Sequence, residues 1–371
     1  MARCSQPGPN PAPALRGARF RHQTRAGAAA TVLGAGLLAA CAACTSGPAG
    51  PGASATPAPT GSSVALQQAY VSVISRVLPS VVEIRTSSGL GSGVVYDTAG
   101  HIVTNAHVVG TATSFQVLLP GSAKPLPAKL TGTYAPDDLA VIQVAGAAHL
   151  TPAHFADSSK LQVGDIVLAM GNPLGLASSA TDGIISAVGR TVSEPAEGNS
   201  PGATLPDAIQ TSAAINPGNS GGALASLAAQ VVGIPTLAAT DQQLGGAAPG
   251  IGFAIPSNIV TSIAGQLIKT GHVTNSHRAA LNVSVQTVTG PDGQPAGAGI
   301  VSVTPDGAAA KAGLLSGEVI TAVNGTPVTD TESLAVALAG LQPGQQATLS
   351  ITKADGSTAT VKVTLGQLPG S

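Results

Sequence analysis

From about residue 80 onward, apolar residues fall in short runs of four to six, broken by Gly, Pro, Asp and Asn. Runs at 80–84, 93–96, 101–104, 115–119, 139–144, 166–169, 183–186 and 230–234 are rich in Val and Ile. Such runs, punctuated at this spacing, predict the short strands of an all-β sandwich or barrel. The strand pattern ends near Ala254-Ile255-Pro256. Beyond it, Ile259, Ile263 and Leu267 recur at helical spacing, predicting a helix over 258–269 with Ser257 as N-cap and Gly271 closing it. A polar break at Thr274-Asn275-Ser276-His277 precedes a different pattern. There, strands are expected at 300–303, 318–323, 347–353 and 358–365, with short helices at 308–312 and 331–339. Asn324-Gly325 marks a tight turn, since both positions tolerate the positive φ that a hairpin requires. This second unit is a small α+β domain.

Ahead of the strands the pattern disappears. Residues 45–63 are Gly, Pro, Ala, Ser and Thr almost throughout, a composition that cannot bury enough apolar surface to order itself. Earlier still, Arg16, Arg19, Arg21 and Arg25 precede an uncharged stretch at 26–40, which reads as an export signal. The stretch is shorter than the roughly 20 residues that span a bilayer. It ends in Leu38-Ala39-Ala40-Cys41, resembling a bacterial lipobox with Cys41 as the lipidated residue; an uncleaved N-terminal anchor is the alternative. The expected organisation is an export signal at 1–40, a tether at 41–66, a strand-rich domain at 67–273 and an α+β domain at 276–368. Either reading of the N-terminus puts the chain outside the cytoplasm, at the outer face of the membrane.

Composition narrows the classes further. Among 371 residues, 43% are apolar but only 9% are charged and 2% aromatic, with no Trp. The core must therefore be built from Ala, Val, Leu and Ile. A formal net charge of -1, with no basic cluster past residue 30, argues against nucleic-acid binding. All three cysteines precede residue 45, so no disulfide is expected in the folded part.

Three positions suggest acyl chemistry, which needs a nucleophile, a base, a carboxylate to orient the base, and donors for the oxyanion. Ser220 lies in Asn216-Pro217-Gly218-Asn219-Ser220-Gly221-Gly222, where flanking glycines permit a tight turn that presents the amides of Gly218, Asn219 and Ser220. His107 lies in Thr104-Asn105-Ala106-His107-Val108-Val109, and Asp138 opens the apolar run Leu139-Ala140-Val141-Ile142. Taken singly, these read equally well as a glycine-rich surface turn, a core histidine and a strand-edge charge. Together they follow the order His, Asp, Ser, which on a chain of about a dozen strands is the order of the chymotrypsin-type double barrel. Asp137, next to Asp138, is expected to face solvent.

These motifs, with Gly171-Asn172-Pro173-Leu174-Gly175, Gly183-Ile184-Ile185-Ser186, Ile209-Gln210-Thr211 and Gly252-Phe253-Ala254-Ile255-Pro256, resemble the HtrA/Deg serine proteases. The resemblance covers residues 75–370 in the family's order. It implies a mostly β fold, a chymotrypsin-like double six-stranded β-barrel followed by a small α+β PDZ domain. It further implies His107, Asp138 and Ser220 as the triad, and proteolysis of unfolded or damaged extracytoplasmic proteins without ATP, metal or other cofactor. Family members form trimers, so a homotrimer is expected, though Tyr70 is the only aromatic in 65–87. The second unit is similar to a PDZ domain, with Ala280-Leu281-Asn282-Val283 at the loop that binds a peptide's C-terminal carboxylate. Asn282 stands where the family carries Gly, and Pro235 falls in the segment walling the specificity pocket. A tethered chaperone or sensor with little proteolysis, or an esterase on the same scaffold, are the competing readings.

Overall fold

The computed structural model describes residues 62–370 apart from 88, 123, 147–149, 173–178, 195–202, 217 and 242–245. The export signal, most of the tether and Cys41 lie outside the described residues, as do Pro173, Leu174, Gly175 and Pro217. The described chain opens with helix α1 (Ser62–Val77), which takes up the last residues of the segment read as tether. Its Val73 and Val77 are buried. Tyr70 also packs on that core, and its hydroxyl reaches Asp182 at 3.4 Å.

Twelve strands follow as two closed barrels. The first contains β1 (Val81–Arg85), β2 (Leu90–Val95), β3 (His101–Thr104), β4 (Ser114–Leu118), β5 (Leu126–Tyr134) and β6 (Leu139–Val144), in the order β1-β2-β3-β6-β5-β4. The second contains β7 (Ile166–Gly171), β8 (Ser179–Glu194), β9 (Ala203–Thr211), β10 (Ala223–Ser226), β11 (Val231–Asp241) and β12 (Gly246–Pro256), in the order β10-β11-β12-β9-β8-β7. Closing each sheet on itself leaves no unpaired edge. The alternation of each strand divides its side chains between two cores. On β1, Val82 and Ile84 point into the first barrel while Val81 joins the layer between barrels, with Tyr134, Leu168 and Met170.

One helical turn, α2 (Ala106–Val109), leaves β3. Helix α3 (Ser257–Thr270) follows β12 and buries Val260, Ile263 and Leu267 in the inter-barrel layer, each worth about 1.5–3 kcal/mol of transfer free energy. Ser257 does not cap it: Pro256 holds the cap position, and the Ser257 hydroxyl instead donates to the Ala156 carbonyl at 2.7 Å. Gly271 ends the helix in the left-handed region at φ 76°, as the pattern predicted.

The second unit carries its own core, around Leu281, Ile300, Ile320, Leu334 and Leu349. Its elements are β13 (Ala279–Ala280), β14 (Val283–Thr289), β15 (Pro295–Val303), α4 (Ala308–Lys311), β16 (Val319–Val323), β17 (Thr326–Pro327), α5 (Thr331–Ala339), β18 (Gln346–Thr352), β19 (Thr358–Thr364) and β20 (Gly366–Gln367). Asn324 and Gly325 both have positive φ, 50° and 82°, and join β16 to β17. Asp330 caps α5 through a reciprocal pair with Ser333.

Candidate active site

The two barrels share a buried layer, and the candidate residues come from both of them. His107 sits on α2, directly after β3, and Asp138 sits directly before β6, whose residues pair with β3. Strand pairing thus brings together two residues 31 positions apart in sequence. Ser220 lies on the turn before β10 of the second barrel.

Asp138 is buried, 2% exposed, and left-handed at φ 50° and ψ 42°. Asp adopts this region more readily than most residues, but it still costs an L-residue about 1–2 kcal/mol. The surroundings hold it there. The Asp138 amide donates to the Ala135 carbonyl at 2.9 Å, and the Asp138 carbonyl accepts from the Ala106 amide at 3.1 Å and from Asn105 Nδ2 at 3.0 Å. Its carboxylate accepts from the His107 amide at 2.9 Å on Oδ1, and lies 2.8 Å from His107 Nδ1 on Oδ2. Such an arrangement places the Nδ1 proton on the carboxylate side and leaves Nε2 for proton transfer. The Thr236 hydroxyl donates to the same Oδ2.

Thr236 also links the carboxylate to the serine, because the Ser220 hydroxyl donates to the Thr236 carbonyl at 3.2 Å. The serine turn is pinned from several directions. The Ser220 carbonyl accepts from the Ser92 amide at 3.0 Å, and the Gly221 amide donates to the Pro235 carbonyl at 3.0 Å. The Ser92 hydroxyl donates to the Gly218 carbonyl at 2.5 Å and accepts from the Asn172 amide at 2.8 Å. Gly218 has φ 108°, a conformation open to glycine. At Gly221, a Cβ would sit 2.2 Å from the Ser92 carbonyl oxygen. Gly221 is required by this close approach, and Gly218 by its positive φ.

Among the described residues, the amides of Gly218 and Ser220 have no acceptor. The Asn219 amide is spent within the turn, donating to the Asn216 carbonyl at 3.0 Å. Of the three residues expected to bind the oxyanion, Gly218 and Ser220 therefore offer free amides and Asn219 does not. Pro235, expected to disturb the pocket wall, lies where the β11–β12 register shifts, so its missing donor falls at an irregularity in the ladder.

Asp137 corrects another expectation. It is 2% exposed rather than solvated, and accepts from Arg278 Nη1 at 2.8 Å. Burial pushes its carboxyl up to about 6, against the pull of the guanidinium. The extended alternation that would have turned it outward does not apply, because Ala135–Asp137 forms a 3-10 turn.

In the second unit, Ala279 and Ala280 pair with Gln367 and Gly366, and Asn282 is left-handed at φ 58°. Its side chain replaces the freedom of glycine with two anchors. Nδ2 donates to the Gln367 carbonyl at 3.0 Å, and Oδ1 accepts from the Ala308 amide at 3.3 Å. The amides of Leu281 and Asn282 have no acceptor among the described residues. Leu281, Asn282, Val283, Leu334 and Leu338 line a groove of about 790 Å³.

A catalytic-type His–Asp pair and a glycine-bound serine between two six-stranded barrels, with a groove-bearing α+β unit behind, define a trypsin-like peptidase joined to a PDZ domain. Family comparison agrees: residues 91–234 match the trypsin-like peptidase domain and residues 274–365 the PDZ domain. The serine protease PepD of Mycobacterium tuberculosis is 39% identical over 316 residues, 80% of this chain and 65% of that protein. The periplasmic serine endoprotease DegP of Escherichia coli is 39% identical over 284 residues, 75% of this chain and 57% of DegP. The chain thus spans somewhat under two thirds of these relatives. Among solved structures, the HtrA-type protease AlgW with a tripeptide is 33% identical, with a TM-score of 0.53, covering 81% of this chain and 97% of AlgW. The chain belongs to the HtrA/DegP family of serine proteases.

Sequence reasoning passed over Ser92, Thr236 and Arg278. Thr236 carried a weak signal as the polar residue ending the apolar run 231–235, and Ser92 as a serine between two strand glycines. Arg278 carried none, since its partner lies 141 residues away.

Proposed function

We propose that this chain is an ATP-independent serine endopeptidase that cleaves unfolded or damaged extracytoplasmic proteins. The observation that carries the reading is the continuous network His107–Asp138–Thr236–Ser220, next to the amides of Gly218 and Ser220, which have no acceptor among the described residues. In this reading Ser220 attacks the scissile carbonyl while His107 Nε2 takes its proton, and Asp138 fixes the tautomer and stabilises the imidazolium. The Gly218 and Ser220 amides receive the developing oxyanion. His107 then protonates the leaving amine, and water repeats the sequence to release the acyl group. The PDZ domain binds a C-terminal or extended peptide along β14, its carboxylate on the loop Ala280-Leu281-Asn282-Val283.

The export-type N-terminus and periplasmic relatives support a location outside the cytoplasm, tethered at the membrane by lipid on Cys41 or by an uncleaved anchor. No helix among the described residues is long and apolar enough to cross a membrane. A homotrimer is the family expectation, which light scattering tests. For the activity itself, purified wild type should degrade casein and react with a fluorophosphonate probe. Full cleavage by Ser220→Ala would refute the assignment.

One observation favours a second reading, a chaperone or sensor with low resting proteolysis. The Ser220 hydroxyl donates to the Thr236 carbonyl at 3.2 Å, a bond that competes with transfer of its proton to a base. Slow probe labelling that accelerates when a hydrophobic C-terminal peptide is added would identify this state.

A further inference from the structure

Arg278 belongs to the start of the PDZ domain, yet its guanidinium is buried against the protease domain, with its side chain 11% exposed. Nη1 donates to the Pro136 carbonyl at 2.7 Å and to Asp137 Oδ1 at 2.8 Å. Those residues form the 3-10 turn Ala135–Asp137, which ends in the left-handed Asp138. The arginine is itself held from the PDZ side. Its carbonyl accepts from the Leu368 amide at 2.8 Å, and its amide donates at 3.3 Å to Ser276 Oγ, which donates in turn to the Leu368 carbonyl at 2.8 Å. Immediately after it, β13 begins the strand that leads into the carboxylate loop. Pro136 and Arg278 also both line the peptide groove.

A strained backbone conformation persists only where its surroundings over-determine it. On the His107 side, Asp138 is held by the bonds already described. On the other side, the turn that delivers it packs against β9 and is hydrogen-bonded by one side chain from the other domain, that of Arg278. The grip consists of the two hydrogen bonds from Nη1, and a donor buried without its acceptor is costly. Asp137 and Arg278 therefore move together or not at all.

We propose that Arg278 is a positioning residue for the triad carboxylate: seated on the PDZ domain, it fixes the 135–137 turn and so the angle at which Asp138 meets His107. This rests on the assignment of His107, Asp138 and Ser220 as the triad. A residue that only stapled two domains together would leave the chemistry of the serine unchanged. Arg278 should not.

The test uses the full chain carrying Arg278→Met, which keeps the packed stem and removes both hydrogen bonds. Acylation of Ser220 by a fluorophosphonate probe is followed across pH, together with kcat and KM on a peptide substrate and a thermal melt. Misplacement of a catalytic group by about an ångström costs up to about 100-fold. Acylation and kcat are therefore expected to fall about 10- to 100-fold, with KM within about twofold and the acid limb of the acylation profile displaced. Asp137→Asn keeps an Oδ1 acceptor for Nη1 and should stay within about threefold of wild type. A folded Arg278→Met with wild-type acylation and an unmoved acid limb overturns the proposal. If that variant does not fold, Arg278→Gln, too short to reach the turn, is read by the same criteria. Ser220→Ala separates the two levels: if it reacts with the probe like wild type, the triad assignment fails, whereas an unreactive Ser220→Ala beside a fully reactive Arg278→Met refutes only the role of Arg278.

Discussion

Ser92→Ala removes one oxygen atom and two hydrogen bonds. The Ser92 hydroxyl is fully buried and joins the Asn172 amide, at 2.8 Å, to the Gly218 carbonyl, at 2.5 Å. Alanine leaves both backbone groups without that partner. The space vacated by one oxygen is smaller than the roughly 30 Å³ share of a water molecule, so solvent does not take over the role. A lost hydrogen bond costs about 1 kcal/mol net, and a buried polar group left unsatisfied about 1–3 kcal/mol. Relaxation of the turn lowers the sum, so the expected loss is about 2–4 kcal/mol. If Gly218 is released locally, the cost falls on the oxyanion site, where one donor is worth about 2.7–4 kcal/mol. Acylation should then slow about 10- to 100-fold, with KM for a peptide substrate nearly unchanged, because the loss is confined to the transition state. If the turn holds, the cost falls on folding instead, and the melting midpoint drops by about 2–4 °C per kcal/mol. Stopped-flow labelling with a fluorophosphonate and a thermal melt on the same preparation read both. A variant with wild-type acylation and a wild-type midpoint would refute the reasoning, since the two bonds would then contribute nothing.

Three other predictions follow from the same geometry. Asp138→Asn keeps the shape of the site but favours the wrong His107 tautomer, and kcat should fall by about four orders of magnitude with little change in secondary structure; activity within about tenfold of wild type would count against the assignment. Because the folded-state pKa of Asp137 is raised to about 6 from 3.8, its contribution to stability is fully present below about pH 4 and is lost as pH rises through about 6. The stability of Asp137→Asn relative to wild type should accordingly rise between about pH 4 and 6.5, by up to about 3 kcal/mol in denaturant titrations, and a flat difference would contradict the burial-driven shift. Asn282→Gly retains the left-handed backbone but loses both side-chain anchors, so PDZ-domain stability should fall by about 1–3 kcal/mol and the affinity for a C-terminal peptide should weaken in fluorescence polarisation; unaltered affinity and stability would show that the anchors are idle.

The reach of the sequence differs from residue to residue. Many of the strands, the turn at Asn324-Gly325 and the helix 331–339 are local decisions, set by residue pattern and turn chemistry, and they were legible. Ser257 was misassigned as a cap because its hydroxyl found a carbonyl 101 residues away. Asp137 was placed in solvent because an extended chain was assumed where the backbone turns. The amide of Asn219 could not be distinguished from its neighbours until the Asn216 turn was visible.

By itself the sequence offered many of the strands, the polar break before the second unit, and the candidate set His107, Asp138 and Ser220, because periodicity and motif order are written in residue types along the chain; helix α1 and strands β5, β9 and β14 were not legible in it. Tertiary structure alone decided how those residues are held. Thr236 reaches Asp138 across 98 residues, Ser92 reaches Gly218 across 126, and Arg278 reaches Asp137 across 141. Each of these is a side-chain hydrogen bond of ordinary chemistry between partners that no local pattern relates. Only closure of two barrels and the seating of the PDZ domain bring them within reach.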